Sequence, residues 1–108
     1  MSERNEASQP LSGKQRRWLR ARAHGLDPVV QVGGKGLTDA VVTETDLALD
    51  AHELIKVRLV GDRDEREAMA GELAERLRAE ALGIVGRVAM LFRSQRDPER
   101  RRVRPPAG

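Results

Sequence analysis

The chain has 108 residues, contains no cysteine, and carries 20 Lys or Arg against 17 Asp or Glu, a formal net charge of +3. This length fits one domain with one modest core, and the absence of cysteine excludes disulfides, thiolate catalysis, iron–sulfur clusters and cysteine-ligated zinc. No apolar run approaches the roughly 20 residues that a membrane helix needs, and the N-terminal stretch lacks the apolar segment of a secretory signal, so we expect a cytoplasmic protein.

The first predicted elements are a helix and a short strand. Ser12, with Gln15 three residues later, predicts a capping box. The helix runs to about His24, and Gly25 is its expected stop. Valines at three of positions 29–32 then predict a short strand bounded by glycine.

A second helix and a second strand follow. Thr38 is the predicted N-cap of a helix that ends near His52. Along Glu53–Val60 the side chains alternate between two faces and predict a strand with one solvent-exposed, or wet, face. That face carries Leu54, Lys56, Arg58 and Val60.

The last predicted elements are a third helix and a hairpin. Asp62 or Asp64 caps the helix, and the hairpin pairs residues 82–85 with 88–92 through a two-residue turn, Gly86-Arg87. The order is therefore α-β-α-β-α-β-β. It predicts an α/β domain with a small four-stranded mixed sheet packed with three helices, because strands joined through helices tend to be parallel and hairpins are antiparallel.

Composition divides the chain into three parts. Residues 1–10 are polar and predict a flexible tail, and residues 94–108 contain three prolines and five arginines and predict a disordered basic tail. The folded unit is then 11–93. Residues 1–36 have a net charge of +4, residues 37–92 of −5 and residues 93–108 of +4. Basic ends around an acidic middle suggest a nucleic-acid partner.

No catalytic set is visible. His24 and His52 each lie at a helix end without a motif around them, and the zinc pattern H-E-x-x-H fails at its last position after His52. No nucleophile with a base and an orienting group can be assembled. We therefore expect no enzyme, no cofactor, no metal site and no small-molecule substrate.

The most informative stretch is the loop Gly33-Gly34-Lys35-Gly36, which links a strand to a helix. Three glycines allow a sharp turn, and backbone N–H groups beside the mobile charge of Lys35 suit a phosphate. The same sequence also suits a plain strand–helix turn, so the loop alone leaves both interpretations open. Basic residues of the first helix favour the phosphate interpretation because they can border one surface: Lys14, Arg16, Arg17 and Arg20.

Aromatic residues are almost absent. Trp18 and Phe92 are the only two, and both are predicted to lie in or near the core. Base-stacking platforms need exposed aromatics on a sheet. Any nucleic-acid binding should therefore depend on phosphate, sugar and shape, as it does for structured RNA.

Several motifs follow one another in order along residues 11–93. They are the Leu-x-x-x-Gln opening, the Pro-Val-Val strand, the G-x-x-G-Leu-Thr loop, the Glu-Leu-Ile-Lys-Val strand and the closing IVGRVAMLFR. Together they resemble the CRM (chloroplast RNA splicing and ribosome maturation) domain in its bacterial stand-alone, YhbY-like form. The chain departs from the pattern at Thr45, where a larger aliphatic residue is usual.

The resemblance implies a fold similar to the C-terminal domain of translation initiation factor 3. It also implies RNA binding and association with precursors of the large ribosomal subunit during assembly. The implied RNA surface contains the glycine loop, the basic residues of the first helix, and more weakly Lys56 and Arg58. We expect ribosomal RNA as the partner and no association with a membrane. We also expect the protein to be a monomer. The alternative is a protein-interaction module that docks a basic ribosomal protein through the acidic middle, with RNA contact incidental.

Overall fold

Helices and strands alternate along the chain as the sequence predicts. A computed structural model describes residues 10–108, and the predicted N-terminal tail lies outside them except for Pro10. The helices are α1 (Gly13–Ala23), α2 (Asp39–His52) and α3 (Arg63–Leu77). The strands are β1 (Val30–Gln31), β2 (Leu54–Arg58), β3 (Glu80–Val85) and β4 (Val88–Phe92), followed by one 3-10 turn, Pro98–Arg100.

The four strands form one mixed sheet in the order β1-β2-β4-β3. β1 and β2 are joined through α2 and run parallel, whereas β4 is antiparallel to both β2 and β3. The hairpin turn is the predicted Gly86-Arg87 pair, and Gly86 has a φ of 61°, which glycine adopts without steric cost. The predicted α/β class, with three helices and a four-stranded sheet, is confirmed.

Local capping fixes where the helices begin. The Ser12 hydroxyl accepts from the Gln15 amide (3.1 Å), and the Gln15 side chain accepts from the Ser12 amide (2.9 Å), which is the predicted capping box. Thr38 caps α2. Of the two candidates for α3, Asp62 is the cap, in a second capping box with Glu65.

The core has two layers because helices cover both faces of the sheet. α2 and α3 bury one layer, which includes Leu49, Ile55, Val57 and Leu73. The other layer lies under α1 and contains Leu19, Ala23, Leu54, Leu82, Met90, Phe92 and Val103. The predicted wet face of β2 is therefore only partly correct. Leu54 is buried under α1, and only the Arg58 end of that face is open.

The last residues differ from the predicted disordered tail. Residues 94–108, here called the C-terminal arm, run back across the domain, and Val103 is 8% exposed in the layer under α1. The backbone amides of Arg102 and Val103 donate to the buried carboxylate of Glu53. Proline and arginine content predicted disorder, but one valine and one distant carboxylate hold the segment in place.

Candidate nucleic-acid interface

The glycine loop is held at both of its ends. On the β1 side, the Val32 amide donates to the Arg58 carbonyl (2.8 Å), which ties the loop entrance to β2. The Gly36 amide donates to the Gly33 carbonyl (3.0 Å) and closes a turn. Gly36 has a φ of 75°, a conformation that favours glycine. The backbone of the loop is therefore fixed before any ligand arrives.

The tip of the loop is open. Gly34 and Lys35 are exposed, and no atom lies within 4 Å of the position that a Cβ would take at Gly33 or Gly34. Within residues 10–108, no group accepts a hydrogen bond from the amides of Gly34 and Lys35. Unpaired N–H groups beside a lysine ammonium are able to donate to an anion such as a phosphate.

The two predicted basic residues of β2 have different roles. Arg58 is exposed and pairs in register with Gln31, two residues before the loop, so it lies beside the loop entrance. The Lys56 ammonium instead donates to the carbonyls of Leu26 (2.9 Å) and His24 (3.4 Å). It ties the connection after α1 to the sheet and is less available to a ligand than Arg58.

The four predicted basic residues of α1 also divide into two pairs. Arg16 donates to the Glu80 carboxylate (3.1 Å) and the Ala81 carbonyl (2.8 Å), and Arg20 donates to the Leu82 carbonyl (3.2 Å). These two side chains hold α1 against β3. Lys14 and Arg17 are exposed and donate no side-chain hydrogen bond within residues 10–108.

One basic residue beside the loop was not predicted. The Arg87 carbonyl accepts from the Leu59 amide (2.6 Å), so the hairpin turn lies against the end of β2 that carries Arg58. Arg87 is exposed. The turn itself was predicted from the sequence, but its position next to Arg58 depends on β4 pairing with β2. That strand order is not encoded in a local motif.

The end of the sheet near the loop is an open platform. Gln31, Arg58, Val88 and Val85 are aligned across the four strands, and we call them the sheet-end row. Paired residues on neighbouring strands point to the same face. The row thus continues the face on which α1 packs, beyond the part that α1 covers. Val85 is 67% exposed.

The two faces of the molecule carry opposite charge. α1 contains five Lys or Arg and no Asp or Glu, whereas α2 contains four Asp or Glu and no Lys or Arg. They pack on opposite faces of the sheet. A polyanion is therefore attracted to the α1 face and repelled by the α2 face.

The part of the chain that the structure describes contains neither a metal-binding cluster nor a membrane-spanning helix. No group of three or more His, Cys, Asp or Glu side chains there could hold a metal ion. No helix in that part is long and apolar enough to cross a membrane. His24 and His52 are exposed at helix ends, as predicted.

Comparison with known families gives a match that spans all of these elements. The model of the CRS1 / YhbY (CRM) domain matches residues 11–93. The chain belongs to this family. The matched stretch contains α1, the glycine loop, the sheet-end row and the hairpin turn, and it stops before the C-terminal arm.

Relatives from distant bacteria cover most of the chain. A Haemophilus influenzae protein named "RNA-binding protein" is 38% identical over 88 residues, which are 81% of this chain and 89% of that one. The Bacillus subtilis "Probable RNA-binding protein YqeI" is 34% identical over 88 residues, covering 81% and 92% of the two chains. The CRM family likeness thus extends over nearly the full length of these relatives.

A solved structure has the same fold. The solution structure of the hypothetical protein SAV1595 from Staphylococcus aureus is described as that of "a putative RNA binding protein". It superposes with a TM-score of 0.75 at 30% sequence identity, and covers 88% of this chain and 100% of its own. The two proteins therefore share the arrangement of three helices and a mixed sheet.

Proposed function

We propose that this protein is a non-catalytic RNA-binding protein that associates with precursors of the large ribosomal subunit in the cytosol and assists ribosome assembly. The observation that carries the proposal is the glycine loop, whose backbone is fixed and whose tip offers free amides and Lys35. Arg58 lies beside the loop entrance. The names of the relatives support RNA as the ligand.

In this proposal, binding is electrostatic and recognises the shape of the RNA. Amides of the loop and the Lys35 ammonium hold backbone phosphates, and exposed basic residues such as Arg58, Lys14 and Arg17 extend the contact. The acidic α2 face turns the protein so that the α1 face meets the RNA. Without exposed aromatics on the sheet, base stacking contributes little.

The loop is tested by the double variant Gly34→Asp/Lys35→Asp. Because no atom lies near the Gly34 Cβ position and Lys35 is exposed, the fold should survive. Affinity for a labelled transcript of large-subunit ribosomal RNA should fall at least tenfold at 0.1 M salt. The slope of log affinity against log salt should fall by roughly one unit for the lost phosphate contact.

A matched control changes the charge by the same amount on α3. The variant Gly71→Asp/Arg76→Asp alters two exposed positions there and should bind RNA nearly as the wild type does. Wild-type affinity in the loop variant, together with an unchanged circular dichroism spectrum, would remove the loop from the proposed interface.

The assembly role is tested by sedimentation of a gently prepared lysate at low salt, with detection of this protein in each fraction. Migration with particles at or just below the large subunit, reversed by added salt, is the expected result. A protein confined to the top of the gradient would refute association with large-subunit precursors.

A second candidate function is docking of a basic protein on α2. It is favoured by the acidic character of that helix and by Leu47, which is 62% exposed between Glu44 and Asp50. Asp50 already pairs with Arg93 (2.8 Å), so the informative variant is Glu44→Gln/Leu47→Ser. Loss of particle association with RNA affinity unchanged would favour this second function.

A further inference from the structure

The C-terminal arm lies outside the stretch that the family model matches, yet it is built into the domain. Val103 packs under α1 together with Leu19, Leu54 and Phe92. Farther along, the Gln15 side chain donates to the Pro106 carbonyl (2.9 Å), so the arm ends against the N-terminal turn of α1. The arm therefore follows a defined path from the C-terminal end of α2, where its side chains donate to the carbonyls of Asp50 and Ala51, to α1.

Glu53 is the anchor of the arm. Its side chain is buried, with 1% of the residue exposed, and both carboxylate oxygens are used. One oxygen accepts from the amides of Arg102 (2.7 Å) and Val103 (2.8 Å), and the other accepts from the amide of Gln95 (2.7 Å). Three charge-assisted hydrogen bonds to backbone amides fix the path of the arm.

The arginines of the arm have no carboxylate partner among the residues that the structure describes. Within residues 10–108, ion pairs involve Arg16, Arg63, Arg76 and Arg93, and none involves an arginine of the arm. The side chains of Arg101, Arg102 and Arg104 donate only to backbone carbonyls in that part of the chain. Arg96 and Arg100 are exposed and donate no side-chain hydrogen bond in the same part of the chain.

The arm and the glycine loop lie at opposite ends of β2. The arm packs near Leu54, and the loop entrance lies beside Arg58. Four residue steps of a strand span about 13 Å. Exposed Lys14 lies next to Gln15, where the arm meets α1. An RNA segment that lies on the α1 face and extends past Lys14 can therefore reach the arm, which continues from α1 to the C-terminal end of α2.

We infer that the C-terminal arm is a second phosphate-contact surface for the same RNA, formed by Arg96, Arg100 and the neighbouring arginines. This inference rests on the proposed function. A disordered arginine tail would lose conformational entropy on binding, whereas an arm already fixed by Glu53 presents its charges in place. The arm therefore strengthens binding through preorganisation as well as through charge.

The test uses the full chain with Arg96→Gln/Arg100→Gln. Neither side chain holds the fold, so the variant should unfold at the wild-type temperature. With the same ribosomal RNA transcript, affinity at 0.1 M salt should fall roughly tenfold, and the salt slope should fall by about 1.5 units for two lost contacts. The matched control, Arg63→Gln/Arg76→Gln on α3, should leave both values near those of the wild type.

The outcomes separate the inference from the function on which it rests. If the arm variant binds as the wild type does while Gly34→Asp/Lys35→Asp binds weakly, the arm contributes no contact and the inference is wrong, but the proposed function stands. If the α3 control loses as much affinity as the arm variant, the effect is net charge alone and the inference is again overturned. If the wild-type protein does not bind the transcript, both fail.

Discussion

Replacement of Glu53 by glutamine should loosen the arm without changing the shape of the side chain. The carboxylate accepts three backbone N–H bonds, whereas an amide offers one acceptor oxygen and two donors. If the amide oxygen keeps the Arg102 and Val103 amides, the amide nitrogen, which is itself a donor, faces the Gln95 N–H, and that N–H loses its acceptor.

The magnitude follows from these three bonds. A buried N–H without an acceptor costs about 1–3 kcal/mol, and the two surviving bonds lose charge assistance worth about 0.5–1 kcal/mol each. The free energy of unfolding should therefore fall by about 2–5 kcal/mol. For a domain of this size the urea midpoint should fall by about 1–3 M.

Urea unfolding followed by Trp18 fluorescence measures the loss, and hydrogen exchange locates it at the amides of residues 95, 102 and 103. Glu44→Gln on α2 is the control, because it makes the same chemical change at an exposed position and should alter stability by less than about 0.5 kcal/mol. Unchanged protection of those three amides in Glu53→Gln would refute the role of the carboxylate as the anchor.

Three further predictions concern the loop, β2 and the arm. Gly36→Ala should lower the unfolding free energy by about 1–2 kcal/mol because Gly36 has a φ of 75°, whereas Gly34→Ala should change it little. Thermal melts of the two variants test this difference, and equal melting temperatures would contradict it. Arg58→Gln should lower the salt slope of RNA binding by roughly one unit, whereas Lys56→Gln should lower mainly the stability of the domain. A larger change of the salt slope in Lys56→Gln than in Arg58→Gln would mean that Lys56, and not Arg58, contacts the RNA. Val103→Ala should cost about 1–2 kcal/mol in chemical denaturation, and a cost near zero would mean that the side chain leaves the core in solution.

Local signals in the sequence predicted most of the fold. Ser12 with Gln15, the Thr38 cap and the Gly86-Arg87 turn each act within a few residues, so the pattern of side chains reveals them directly. The prediction of a solvent-exposed face on β2 was only partly correct because Leu54 belongs to a second core layer. Whether α1 covers that face depends on tertiary packing, which alternation along one strand does not express.

The candidate interface was predictable only in part for the same reason. The glycine loop is a local motif, and its structure matches the predicted strand-to-helix turn. The sequence placed Arg16 and Arg20 on a basic helix face, but not against the carbonyls of β3. The sequence also did not predict that the C-terminal arm is ordered, because Glu53 lies 42 to 50 residues away from the amides that it binds.

The contacts of Arg16 and Arg20 with β3 have a consequence for the sheet as a whole. β3 is an outer strand, and an outer strand offers unpaired backbone groups on which a foreign strand can add. Here two guanidinium groups occupy the carbonyls of Ala81 and Leu82, and the opposite outer strand, Val30–Gln31, is only two residues long. We therefore expect the arginines that hold α1 in place to make the β3 edge less accessible to a foreign strand as well.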